Sequence, residues 1–152
     1  MSQTATNPPK NDPSISDSEN LLRRIDPEHH IVPDGKGGVR LSSAAFSNTT
    51  GTNEMSVHIS SKLASQTDTL KSFPDFYLIS FTALTARKLS QGVIPDPLPR
   101  DLSHGEVCGD KPKKIQRQFI QNSTWIISPP SHGNFKAKLM HFLKRLPSYF
   151  RV

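Results

Sequence analysis

One cysteine, one tryptophan and no long apolar run mark this 152-residue chain. A lone cysteine, Cys108, excludes an internal disulfide framework and a zinc site built from cysteines alone. It fits a reducing compartment, and a cytoplasmic location is expected. No segment approaches the roughly 20 apolar residues of a bilayer-spanning helix, and the first residues lack the apolar core of a signal peptide. Apolar residues make up 34%, low for a globular chain, and there are 13 prolines, so part of the chain is expected to be unstructured. No internal repeat is present. Gly35-Lys36-Gly37-Gly38 lacks the Gly-Lys-Ser/Thr ending of a phosphate-binding loop and reads as a hairpin turn. Ser42 and Ser43 are not set in a nucleophile elbow.

The formal net charge of +6 is unevenly placed. Residues 1–20 carry Lys10 against Asp12, Asp17 and Glu19, whereas from Ser128 onward Lys136, Lys138, Lys144, Arg145 and Arg151 face no acid. The basic character therefore belongs mainly to a tail, and so does the prior for nucleic acid or an anionic membrane.

Three segments are expected. Residues 1–20 are Ser, Thr, Asn, Asp and Pro with few large apolar side chains, and read as a disordered arm. Residues 21–127 read as a single α+β domain with short strands and two or three helices. Residues 128–152 hold a basic amphipathic helix: Phe135, Leu139, Phe142 and Leu146 fall on one face.

The domain is organised around residues 73–99. Phe76 to Phe81 is a short apolar run that reads as a buried strand. Ser80 or Thr82 is placed to cap a helix through Gln91, with Gly92 as its left-handed stop and Pro95, Pro97 and Pro99 as a rigid exit. One long helix from Asp75 to Gln91 is the alternative reading. Met55 to Ile59 alternates as a strand does, and Lys111 to Asn122 reads as a helix with Pro112 in its first turn.

The segments LLRRIDPEHHIVPDGKGGVRLSSAAFSN, EMSVHI, FYLISFTALTARKLSQGVIPDPLPRDLSHGEVCGDKPKKIQRQF and TWI, in this order, resemble a family of small uncharacterised bacterial proteins. The resemblance covers residues 21–127 and implies a domain boundary, with no established activity.

Candidate site residues are Arg23, Arg24, Ser43, Glu54 and His104. An arginine, Ser42-Ser43 and Glu54 in that order also resemble the arrangement of ADP-ribosyltransferases, where such residues hold a nicotinamide dinucleotide and stabilise an oxocarbenium ion. Lys111, Lys113, Lys114 and Arg117 cluster at a helix start, where they oppose the dipole and fit an anion contact. His29, His30, His58 and His104, with Asp26, Glu28, Asp34 or Glu106 beside them, are the possible metal ligands. No pair has helical i, i+4 spacing, and His104-Gly105-Glu106 lacks the Pro-Cys-x-x-Cys of zinc deaminases. Neither a metal nor a cofactor is expected.

The leading functional expectation is a non-catalytic binding or accessory module acting through protein contacts. The alternatives are a small enzyme acting on a nucleotide or phosphate-bearing substrate, and a nucleic-acid-binding protein using the basic helix and tail. A membrane surface is a less favoured partner for the tail.

Overall fold

The structure is a computed structural model that describes residues 7–130. The amphipathic helix expected in the tail lies outside the described residues.

Among the described residues, eight strands and two α-helices build an α+β fold in which sheet predominates. The strands are β1 (Asn20–Ile25), β2 (Ile31–Pro33), β3 (Val39–Leu41), β4 (Glu54–Ile59), β5 (Tyr77–Thr82), β6 (Gly92–Pro95), β7 (His104–Cys108) and β8 (Thr124–Ile127). The helices are α1 (Ala83–Lys88) and α2 (Lys113–Gln121). Six strands form one fully antiparallel sheet in the order β6-β7-β4-β1-β5-β8, and β2 and β3 form a separate hairpin. The turn between β2 and β3 has Gly35 and Gly37 at positive φ, as its glycine content predicts. Among the described residues no helix is long and apolar enough to cross a membrane.

Alternation along β1 assigns the two faces. Leu21 pairs with Ile59 and Phe81 and, with Ile25, joins the main core. There Phe46, Phe81 and Phe119 meet: the Phe46 and Phe119 rings stack at 5.2 Å, and Phe81 meets Phe119 edge-on at 5.1 Å. Phe119 is brought by α2 and Phe46 by the short 3₁₀ helix Ser43–Phe46, so both pack on this helical face. The opposite face is apolar only over β1 and β5, where Leu22, Leu70 and Leu78 cluster. Over β4 and β7 that same face carries Ser56, His58, His104 and Glu106. Half of one sheet face is thus polar yet largely covered.

The central stretch folds as strand, helix and edge strand. Thr82 caps α1, its hydroxyl accepting from Thr85 N–H at 3.2 Å. The stop is displaced from its predicted place. Ser90, not Gly92, takes the left-handed conformation, at φ 61°. Gly92 instead opens β6, and a Cβ there would collide with the Lys10 carbonyl. Likewise α2 begins at Lys113, with Pro112 outside it as the N-cap residue.

That contact also corrects the expected disordered arm. Residues 11–19 lie against the domain: Asp12 N–H donates to the Val93 carbonyl at 2.8 Å, and Asn11 Oδ1 accepts from Val93 N–H at 3.1 Å. Arg87 binds the Asp17 carboxylate at 2.7 Å and the Asp12 carbonyl at 2.9 Å, while Ile15 packs on the core. The segment is polar because backbone groups and polar side chains make most of the attachment. Gly92→Ala should therefore displace the arm. We expect a loss of about 1–3 kcal/mol, typical of overpacking, and faster cleavage within residues 7–19 in limited proteolysis; an unchanged cleavage rate would refute it.

Candidate functional site

The sequence-predicted residues do not share one pocket. Arg23 faces the helical side, where Nε donates to the Ala45 carbonyl at 3.1 Å and Nη1 to the Ser56 carbonyl at 2.8 Å. Burial pulls its pKa down to about 10. These bonds make it a clamp between the 3₁₀ helix and β4, not an anion contact. Ser43 lies on that side too, accepting from Lys113 Nζ at 3.0 Å, and Ser42 caps the 3₁₀ helix, so no serine-bearing strand exists there. Glu54 sits at the far end of β4 from His58 and pairs with Lys10 at 3.8 Å. The order of residues seen in ADP-ribosyltransferases therefore has no matching geometry.

Lys111 is also reassigned. It is 5% exposed, and its ammonium donates to Asn48 Oδ1 at 2.6 Å, the Val107 carbonyl at 2.8 Å and the Gly109 carbonyl at 3.0 Å. Burial lowers its pKa to about 8. With its three donors engaged, it has none for an external anion. Lys113, Lys114 and Arg117 remain exposed on α2. Cys108 is buried, and burial raises its thiol pKa, which keeps it an apolar filler and not a nucleophile.

Arg24 and His104 do lie on one face, and the structure adds partners that spacing alone did not reveal. Arg24 lies over the Phe73 ring, 4.0 Å from its centroid, and among the described residues makes a single long hydrogen bond, 3.4 Å to the Thr69 carbonyl. Beside it opens a cleft of about 360 Å³ lined by Arg24, His58, Lys62 and Arg100, with Phe73 and Asp101. Two acids border this cleft and both are engaged: Asp68 pairs with Lys71 at 3.2 Å, and Asp101 with His58 Nδ1 at 3.1 Å.

His58 is buried on β4, and burial lowers its pKa despite Asp101, so it is held as neutral imidazole near pH 7. Burial pushes the Asp101 carboxyl up, but the Ser103 hydrogen bonds and His58 outweigh this and leave it below its ordinary value. Ser103 Oγ donates to Asp101 Oδ1 at 2.6 Å and lies 3.2 Å from His58 Nδ1. Serine and aspartate thus sit at the same imidazole nitrogen. A nucleophilic triad needs them at opposite nitrogens, so this is an oriented histidine and not a serine-hydrolase centre.

His104 pairs with His58 across β4 and β7, their ring centroids 6.2 Å apart. Its Nδ1 lies 2.8 Å from the Asp96 carbonyl and 3.3 Å from the Asp96 carboxylate, and its Nε2 lies 3.5 Å from Glu106 Oε1. Burial raises the Glu106 pKa. The only sequence signals for this cluster are the i, i+2 spacing of His104 and Glu106 and the alternation of Met55 to Ile59. What joins them is the β4–β7 register, which no local pattern states. By contrast, His29 and His30 occupy the turn after β1: His29 pairs with Asp26 at 2.8 Å, and His30 accepts from Asp26 N–H at 3.1 Å.

Comparison with family models, with curated proteins and with solved structures finds no match to this chain.

Proposed function

We propose that the protein is a binding module for a small phosphate-bearing molecule, held in the cleft beside Arg24. The observation that carries this reading is the state of Arg24. Its guanidinium is positioned on an aromatic face yet is nearly free of hydrogen-bond partners among the described residues, next to Lys62 and Arg100. A planar fork with open donors matches phosphate oxygens. The contrast with Arg23, whose donors serve backbone carbonyls, separates a ligand arginine from a structural one.

A second reading, a small enzyme on the same class of substrate, draws on the oriented His58. Its Nδ1 is fixed by Asp101, which suits a general base. The protein-contact reading draws on Leu98 and Leu102, exposed on the turn between β6 and β7. The nucleic-acid reading loses Lys111 and rests on Lys113, Lys114, Arg117 and the tail.

Titration with AMP, ADP and pyrophosphate, read by calorimetry and thermal melting, tests the proposal. A true ligand at 100 times its Kd stabilises the fold by about 2.7 kcal/mol. Arg24→Ala should weaken binding about 10- to 100-fold, the worth of a charge-assisted hydrogen bond, while Lys113→Ala leaves it unchanged. Equal loss in both variants would indicate a diffuse charge effect and sink the cleft as the site.

A further inference from the structure

Three ligating side chains converge where β6 passes into β7. Asp96 follows the last residue of β6, and its N–H donates to the His104 carbonyl at 3.0 Å, which makes the two cross-strand neighbours. Glu106 stands two residues along β7, so alternation puts it on the face of His104. One ligand atom from each of Asp96, His104 and Glu106 lies within 4.8 Å of the other two.

The hydrogen bonding of this cluster is incomplete in one particular way. In a neutral His104 imidazole whose Nδ1–H is donated to the Asp96 carbonyl, Nε2 presents a lone pair. It looks toward Glu106 Oε1 at 3.5 Å, long for a hydrogen bond and acceptor against acceptor. Oε1 also accepts from Ser56 Oγ at 3.3 Å. Oε2 is buried with no hydrogen-bond partner among the described residues, on a residue only 7% exposed. A buried carboxylate oxygen without a donor is costly, and protonation, an ion pair or a bound cation each relieve that cost.

We propose that Asp96, His104 and Glu106 bind a divalent cation of the first transition row, Zn²⁺ or Mn²⁺. One imidazole and two carboxylates match that class, and the set offers no thiolate for a softer metal. The cation supplies the partner that Oε2 lacks and separates Nε2 from Oε1. Asp96, with its side chain 52% exposed, provides the path of entry and leaves positions for water. The Asp96 carbonyl and the Ser56 hydroxyl act as outer partners that orient the ligands. None of the three ligands lines the cleft beside Arg24, so the site stands whether or not that cleft takes a phosphate.

The full chain, purified without a histidine tag and stripped with EDTA, would be titrated with ZnCl₂ and MnCl₂ by calorimetry, with thermal melting alongside. The expected result is one saturable site and a higher melting temperature with cation. Glu106→Gln and Asp96→Asn should each weaken binding by about 100-fold, at or beyond the upper end of what outer partners contribute; Asp75→Asn, exposed and away from both the cluster and the cleft, should leave cation binding unchanged. Because the Asp96 carboxylate is half exposed, Asp96→Asn keeps the test valid even if Glu106→Gln misfolds. No stoichiometric uptake by the wild type would overturn the proposal, as would wild-type affinity in Asp96→Asn. So would a rise in melting temperature for Glu106→Gln without uptake by the wild type, which would mark Glu106 as a buried protonated acid.

Discussion

Replacing Lys111 with methionine is expected to destabilise the protein by about 3 kcal/mol, since hydrogen bonds to a charged group are worth about 1.5–3 kcal/mol each and do not add fully. Methionine fills the same space but offers no donor. Asn48 Oδ1 and the Val107 carbonyl would lose their ammonium partner, and the Gly109 carbonyl would keep only the Asn48 amide, at 2.9 Å. The three acceptors belong to the loop after the 3₁₀ helix, to β7 and to the turn leading into α2. Their common cation ties these pieces together. Urea unfolding would measure the loss as a lower midpoint with an unchanged slope. A neutral or stabilising result would instead show that desolvating the ammonium costs as much as its bonds return, as happens for some buried ions.

Phe119→Ala should cost more, about 3–5 kcal/mol, the range for deleting a buried aromatic ring. The side chain is fully buried and touches the two other rings of the core. It is also one of the main residues through which α2 grips the sheet. Its loss opens a cavity and loosens the 3₁₀ helix that carries Phe46. Lys114→Ala on the exposed side of the same helix should stay within about 0.5 kcal/mol. Chemical denaturation of both variants separates core packing from helix propensity; similar values for the two would mean that α2 contributes little to the core.

These residues also show what was legible in the sequence. Runs whose own pattern matches their environment read correctly. Met55 to Ile59 lies within β4, the run from Phe76 to Phe81 gives β5, and the helix expected from Lys111 to Asn122 is α2. Gly92 was misread because a helix stop and a close backbone approach both select glycine. Lys111 was misread because nothing local says that a lysine before a proline will fold back on the end of its own strand. The arm was misread because its attachment uses backbone groups and short polar side chains, which carry no hydropathy signal. The polar face followed the same logic. Its members are single polar residues in apolar strands, and only the pairing of β4 with β7 makes them neighbours.

The seating of residues 11–19 bears on how the chain assembles. Asp12 is made 81 positions before its partner Val93. The edge of β6 is left open until this earlier-made segment returns to it. Contacts of such long sequence separation slow folding, because the loop must close before they contribute. An unpaired edge is also a template for pairing with another chain. The arm is therefore a closing clasp, and the interval before it shuts is when the nascent protein is most open to self-association.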